Sequence, residues 1–496
     1  MENISFRKNI LVIGSFALAL YWAVFLWNFW SVFIDALGFN MTVFILGVLA
    51  LFFLLIGIEA VKKNHSWVLP VALISLSFSL WENPFLKTVN ILILPFVLTI
   101  FFAYSLSSKR EMSIKFAIIS IAERVILVTK IKEALGLVFR QTSTNKDSKL
   151  KLLSRIMLGS ILFLVLALTI FIPLLSAADP AFAELMKGIV EWVNEIISFQ
   201  YVNRIAFAFV AAFLIISYFL SFRRKTSTGD QDPPSDGRLF DPIVSGIVLG
   251  GVLALYLLFL ATQLTHLWIN QLPYDFSETV RLVKSGFWQL FVLSVINIIF
   301  FFGYFRKTNN AVQSILKIFI VASFLLLASA GHRMFLYAFN YGLSYEKFFA
   351  SYTVIYLAVV FIWLAFQLFA NRSGNISKFL IFFTLWMYAI LTVMPVERII
   401  FSTNVNLSFE FDSRIKLNEL RMLSYDVLPL VTAHSKDEQW QKDWCSWAQS
   451  AIRSTERKKW YEKNLSNFAT ADLPEKWKTG ACDSEADKSL NSNSDE

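Results

Sequence analysis

The sequence predicts an all-α protein: a polytopic bundle of about eleven transmembrane helices with a small helical, soluble C-terminal domain. Three observations point there. Apolar runs near 20 residues recur through the first 400 of the 496 residues, and a helix rising ~1.5 Å per residue needs that length to cross a ~30 Å hydrocarbon core. The chain is 56% hydrophobic and 16% charged, whereas soluble domains run at roughly 45–50% and about 25%. The carboxylates are also segregated, with 20 of 36 in residues 1–400 and 16 in residues 401–496. Together these exclude a soluble enzyme, a secreted disulfide mini-protein and a disordered chain.

The expected spans are residues 10–31, 41–61, 67–82, 88–107, 152–175, 202–222, 242–265, 285–305, 312–331, 350–370 and 376–396. The first is too long for a signal-peptide core, and Trp22, Trp27 and Trp30 stand where a cleavage site needs small residues. The third is the weakest, being short and ending in Trp81-Glu82-Asn83-Pro84. Helices are the reading because the runs do not alternate in polarity as barrel strands do.

The net charge of +9 belongs to the loops, so no nucleic-acid partner is expected. With the N-terminus in the cytoplasm and loops alternating, inside segments hold 24 Lys/Arg and outside segments 7. Cationic loops resist translocation, so this register fits. An odd number of spans then places residues 401–482 outside the cytoplasm as a helical domain, followed by a disordered acidic tail at 483–496. The expected location is the plasma (inner) membrane, multi-pass, with the lipid bilayer and a membrane or extracytoplasmic protein as partners.

The spans fall into a four-span bundle at 1–107 and a seven-span bundle at 152–400, the latter interrupted by a Gly/Pro/Ser-rich linker at 226–241. Between them, residues 108–151 form a basic cytoplasmic loop. Ile121, Val125, Val128, Ile131, Leu135 and Val138 recur there at helical spacing among Lys130, Lys132 and Arg140. That pattern suits an amphipathic helix on an anionic leaflet, or one packed under the bundle. Residues 183–200 repeat the pattern on the outer side around Trp192.

In the tail, Leu417, Leu420, Leu423 and Val427 predict a helix ending at Pro429. Trp440, Trp444, Trp447 and Ile452 predict a second, opened by a Ser435/Glu438 capping box. The Trp stripe either grips sugar or lipid headgroups or forms the core of a small helical domain. Both cysteines, Cys445 and Cys482, lie in this tail, where an oxidising compartment would allow one disulfide.

Chemistry-bearing motifs are sparse. The four histidines, His65, His266, His332 and His434, are scattered, with no paired spacing for a metal. No phosphate loop or nucleophile elbow occurs, and neither metal nor cofactor is expected. Ionisable groups at span exits say more, because a charge at the membrane edge needs a partner or water. Asp179 closes one exit, while His332, Arg333, Tyr337, Tyr341 and Glu346 follow another, all on the expected outer side. An Asp179–Arg333 pair, or a network with Tyr337, Tyr341 and Glu346, is the candidate binding cluster. The alternative is that each charge is solvated, with Asp179 before Pro180 serving as a helix terminator and cap.

Four segments carry a resemblance. They are Ser176-Ala177-Ala178-Asp179-Pro180-Ala181-Phe182; Ser285-Gly286-Phe287-Trp288-Gln289-Leu290; His332-Arg333-Met334 with Leu336-Tyr337 and Tyr341-Gly342-Leu343-Ser344; and Leu423-Ser424-Tyr425-Asp426-Val427-Leu428-Pro429 with Trp460-Tyr461-Glu462-Lys463-Asn464-Leu465. In this order they resemble a bacterial family of polytopic inner-membrane proteins known only as a domain of unknown function. The resemblance covers about residues 150–470, while residues 1–107 share only hydropathy. The chain departs after Ser344, where the family often has Thr then Arg and this sequence has Glu346-Lys347. The resemblance implies an integral membrane protein and no activity.

The functional expectation is a membrane-embedded sensor or scaffold with an extracytoplasmic helical domain. The alternative is a transporter or channel component for an apolar or lipid-like substrate, since span interiors carry few charges and polar residues such as Gln263, Gln289, Asn297 and Gln367 could be helix–helix glue. An enzyme acting on lipid-linked substrates ranks last.

Overall fold

The computed structural model describes residues 2–28, 33–57, 65–107, 113–125, 130–142, parts of 175–188, 199–222, 242–264, 276–305, 308–370, 375–410, 417–433 and 438–469. Every regular element among them is helical. Two compact units divide the chain: Met1–Ser227 with Ile452–Asp472, and Thr228–Ala451 with Leu473–Glu496. The first boundary falls inside the expected linker 226–241. The second falls within the tail, so residues 452–472 belong with the first unit rather than with the rest of the C-terminal segment.

The first unit contains α1 (Glu2–Phe25), α2 (Phe39–Ile56), α3 (His65–Leu80), α4 (Pro84–Leu106), α5 (Ile114–Val125), α6 (Ile131–Thr142) and α7 (Phe199–Ser221). Helix α1 packs along both α2 and α7, and α2, α3 and α4 pack in sequence. Small residues permit the closest crossing: a Cβ on Gly14 would meet Leu51, and one on Gly47 would meet Leu18. Aromatic rings fill the rest, with Phe102 stacked on Phe52 at 3.9 Å and near Phe219 at 5.9 Å.

Several polar groups inside the spans are satisfied from helix to helix. The Thr42 hydroxyl donates to the Ser75 carbonyl at 2.7 Å, Ser79 donates to Thr42 Oγ1 at 2.6 Å, and Asn90 donates to Ser77 Oγ at 2.8 Å. In lipid these bonds serve as packing contacts, because an unmet polar group has no water to turn to.

The second unit contains α8 (Pro242–Leu264), α9 (Phe276–Tyr304), α10 (Asn310–Tyr341), α11 (Tyr345–Phe369), α12 (Ile376–Val393), α13 (Val396–Glu410), α14 (Leu428–Ala433) and most of α15 (Glu438–Arg457). Its core joins Leu249 and Tyr256 of α8, Phe301 of α9, Phe319 of α10 and Phe361 of α11. One polar chain crosses it: Tyr256 donates to Asn297 Oδ1 at 2.6 Å, and Asn297 donates to Ser323 Oγ at 2.8 Å. Asn297 is thus helix–helix glue.

Eight described helices are long and apolar enough to cross a membrane, and two shorter apolar stretches, Ser66–Leu80 and Phe291–Tyr304, accompany them. The expected span 152–175 lies almost wholly outside the described residues, as do most of 183–200, the linker and the acidic end.

Three local readings change. The basic loop carries two helices, α5 and α6, rather than one. Phe116, Ala117, Ser120 and Arg124 are buried on the face of α5 packed against α4 and α7, while Ile114 and Ile118 stay exposed. The α-helix expected from Leu417 to Val427 is instead two 3₁₀ turns, Leu417–Met422 and Tyr425–Val427. They break at Ser424, whose amide and hydroxyl both turn to a carboxylate. Pro429 does not end a helix but sits in the first turn of α14, where its missing N–H costs nothing.

The Trp stripe of α15 is core: Trp440 and Trp444 are buried beside Phe401, at ring distances of 6.2 and 5.8 Å. The Ser435 cap and Trp477 lie outside the described residues.

Candidate functional site

Among the described residues, each unit holds a buried carboxylate, Glu82 or Glu397, that fastens a C-terminal segment to helix ends. In the first unit the carboxylate is Glu82. Helix α3 ends at Leu80, so Glu82 lies in the connection to α4, where Asn83 caps Leu86 N at 2.9 Å. Glu82 pairs with Lys87 at 3.5 Å and with Lys458 of the returning tail, and Asn464 donates to its other oxygen. All four side chains are largely withdrawn from solvent. Burial alone pushes the Glu82 carboxyl up. The two lysine charges and the bonds from Lys458 and Asn464 outweigh burial and hold it below the ordinary carboxylate range. Lys87 also donates to the Leu37 carbonyl at 2.6 Å.

The tail segment from Lys458 to Phe468, here termed the strap, then closes the start of α2. The first N–H groups of a helix have no partner within it. Gly38, at the N-cap, offers no side chain to accept from them. The strap supplies acceptors instead: Phe39 N donates to the Lys463 carbonyl at 3.1 Å, and Asn40 N donates to the Tyr461 carbonyl at 2.9 Å. The strap approaches so closely that a Cβ on Gly38 would overlap the Glu462 and Lys463 carbonyl oxygens. Asn28 donates to Glu462 at 2.6 Å, and Phe25 meets Tyr461 edge-on at 5.2 Å. Asn464 opens a capping box with Asn467 over the short helix α16 (Leu465–Phe468).

In the second unit the carboxylate is Glu397, on the first turn of α13. It accepts from the Tyr345 and Ser424 hydroxyls and from Ser424 N at 3.1 Å. Next to it in sequence, Arg398 Nε donates to the Asp426 carbonyl at 2.9 Å. Asn404 bonds Leu343 twice, accepting from its N–H at 2.6 Å and donating to its carbonyl at 2.8 Å. The bend between α10 and α11 is therefore locked onto α13. Gly342 lies in that bend with φ of 71°, a left-handed backbone that favours glycine.

The expected outer cluster is distributed unevenly. Asp179 is exposed and belongs to the first unit, whereas His332, Arg333, Tyr337, Tyr341 and Glu346 belong to the second. Asp179 sits where one helical turn ends and the next begins, its N–H donating to Leu175 and its carbonyl accepting from Ala183, both at 3.0 Å. His332 and Arg333 are half-buried on α10, and Glu346 is exposed on the first turn of α11. The structure does bring Tyr337 and Tyr341 together, with rings 5.6 Å apart.

The cation beside them is one the sequence reading passed over. Lys347 is buried, lies 4.1 Å from the Tyr337 ring centre, and donates to the Tyr341 and Gly342 carbonyls at 3.0 and 2.6 Å. It follows the point where the chain departs from the resembled pattern.

Cys445 is buried and disulfide-bonded, and Cys482 lies outside the described residues. Among the described residues no three His, Cys, Asp or Glu converge as metal ligands.

Glu82, Glu397 and their partners were missed because single residues beside long apolar runs give no periodic signal. The available signals were the Trp81-Glu82-Asn83-Pro84 break and the polar words Leu423-Ser424-Tyr425-Asp426 and Glu462-Lys463-Asn464.

Fold and clamps together define a multi-pass helical membrane protein whose C-terminal segments are fastened back onto span ends. The profile of one protein family, Domain of unknown function (DUF4153), matches residues 68–433, and the chain belongs to that family. Glu82 and Glu397 fall inside the matched stretch, while Lys458 and Asn464 lie beyond it. No curated protein and no solved structure matches the chain.

Proposed function

We propose that the protein is a membrane-embedded sensor or scaffold of the plasma (inner) membrane, with its N-terminus in the cytoplasm and its C-terminal segments outside. The observation that carries this reading is that the buried carboxylates Glu82 and Glu397 are engaged in holding the tail to span ends. Such an arrangement presents a fixed surface beyond the bilayer. The in-span polar chains through Thr42 and Asn297 support packing rather than a conduction path.

The strap contact also supports eleven spans. It puts Lys458 on the same membrane face as Lys87, so the chain between them crosses an even number of times. Helices α4, α7, α8, α10, α11 and α12 are candidate spans, and counting the shorter apolar stretch Phe291–Tyr304 of α9 with them gives seven crossings. An eighth is needed for an even number, and the span expected from sequence at 152–175 is the candidate for it. With α1, α2 and α3 the total is eleven.

The test of the scaffold reading is photo-crosslinking in living cells. Met422, the most exposed large apolar residue of the tail, is replaced by a photoreactive amino acid. The reading predicts a discrete adduct with a second polypeptide that disappears when Glu397→Gln loosens the Ser424 contact beside Met422. Adducts with lipid alone, at Met422 and at the exposed Arg453 and Glu456, would contradict it.

A further inference from the structure

The strap leaves a row of apolar side chains uncovered. Trp460 is 70% exposed and Leu465 56%, and Phe468 is exposed as well. These residues lie on a segment whose other side is fixed by Glu82, Gly38 and Asn40. Their position relative to the bilayer therefore follows from the helices to which the strap is fastened.

Two exposed apolar stripes on candidate spans reach this level. On α2, Phe39, Val43 and Leu46 follow one another at helical spacing, and Val43 and Leu46 are exposed along the span. Phe468 packs on Phe39 at 6.1 Å and so continues that stripe beyond the start of the helix. On α4, Phe85, Leu92 and Phe96 are exposed on one face, and Phe85 stands one residue into the helix, beside Glu82 in sequence. The strap is thus held within a turn of the first residues of two spans.

Trp is enriched at the level where chain leaves hydrocarbon for headgroups, because its ring is apolar and its N–H is not. The cations have matching chemistry: Lys459 lies exposed beside the Tyr461 ring, with Lys463 three residues past Trp460. Long basic side chains next to interfacial aromatics can reach lipid phosphates.

We infer that the strap is a membrane-interface anchor, which sets Trp460, Leu465 and Phe468 into the headgroup layer of a phospholipid leaflet on the face where α2 and α4 begin. The tail is then held to the membrane domain by the Glu82 clamp and to lipid by this apolar row. The occupant is lipid rather than a protein because the row continues faces that the spans already turn to lipid.

Depth measurement by spin labelling tests this. Leu465→Cys and, separately, Phe468→Cys are labelled with a nitroxide in the full chain, with the unsubstituted chain as blank. Each is reconstituted in nanodiscs of phosphatidylcholine and phosphatidylglycerol. Glu456→Cys, exposed on α15, is the comparison position. The anchor predicts an oxygen-to-nickel-chelate collision ratio several-fold higher at 465 and 468 than at 456. Equal ratios at all three positions would place the strap in water and overturn the inference. Low collision with both reagents at 465 and 468 would mean that protein covers the row, which overturns it as well.

Discussion

The buried carboxylates Glu82 and Glu397 solve one problem with different chemistry. Glu82 is neutralised by charge, from a lysine of its own bundle and another from the strap. Glu397 is held by hydroxyl and amide donors from Tyr345 and Ser424. A buried carboxylate left alone costs several kcal/mol, so each arrangement must compensate its acid. They differ in what remains when the acid is removed. Deleting Glu82 leaves two buried ammonium groups without their shared counter-charge. Deleting Glu397 takes the acceptor from the Tyr345 hydroxyl and from the Ser424 hydroxyl and amide. The first contact is therefore the more fragile to substitution.

The largest effect should come from Glu82→Gln. Breaking a buried ion pair from one side costs about 3–5 kcal/mol, and the loss should appear as a lowered unfolding temperature in detergent. Replacing Glu82, Lys87 and Lys458 together by apolar residues should recover most of it. If the triple variant is no more stable than Glu82→Gln, charge pairing is not what holds the strap.

Next is Gly38→Ala. The added methyl meets backbone carbonyls, which cannot rotate aside, and overpacking of this kind costs typically ~1–3 kcal/mol. The readout is trypsin cleavage at Lys458, Lys459 and Lys463, expected to accelerate in the variant. Unchanged cleavage would mean the strap does not approach as closely as the Gly38 geometry requires. Glu397→Gln should cost less than Glu82→Gln, about 1–3 kcal/mol from unmet donors, and should leave strap proteolysis untouched.

Acid tests the Glu82 contact in a second way. The folded Glu82 carboxyl is held below its unfolded value, so its contribution is present above the ordinary carboxylate range. That contribution fades as pH falls through the lower, folded value. Amide exchange in the strap should stay slow at pH values where free carboxylates already protonate, and quicken only on stronger acidification. Exchange that quickens at or above the ordinary carboxylate range would contradict the pairing. The smallest effect is Trp447→Phe. It removes one bond from Nε1 to the Arg421 carbonyl, 3.1 Å long, for about 0.5–1.5 kcal/mol.

Legibility in the sequence followed periodicity. Long apolar runs such as 41–61 and 376–396 announced α2 and α12, because burial in lipid needs only length and hydropathy. The Trp440–Trp444–Trp447 spacing announced α15 through the helical repeat of one buried face. The Leu417–Val427 run misled because leucine spacing fits an α-helix, whereas the demand of Glu397 for Ser424 breaks it into 3₁₀ turns.

The clamps were invisible for a different reason. Glu82 and Lys458 are separated by 376 residues, and no local pattern ties them. Lys347 read as a loop charge, yet the bend at Gly342 folds it over Tyr337. The Asp179–Arg333 pairing joined residues of different compact units and stands as an expectation from sequence alone.

The central claim is that the strap shares a membrane face with the turn between α1 and α2. Asp35→Cys, in the 3₁₀ turn Phe33–Ala36, and Lys459→Cys, in the strap, are made separately in a Cys445→Ser/Cys482→Ser chain. Each is exposed to a membrane-impermeant maleimide on intact spheroplasts. The account predicts that both positions label without permeabilisation. Labelling of one at once and of the other only after lysis would contradict it.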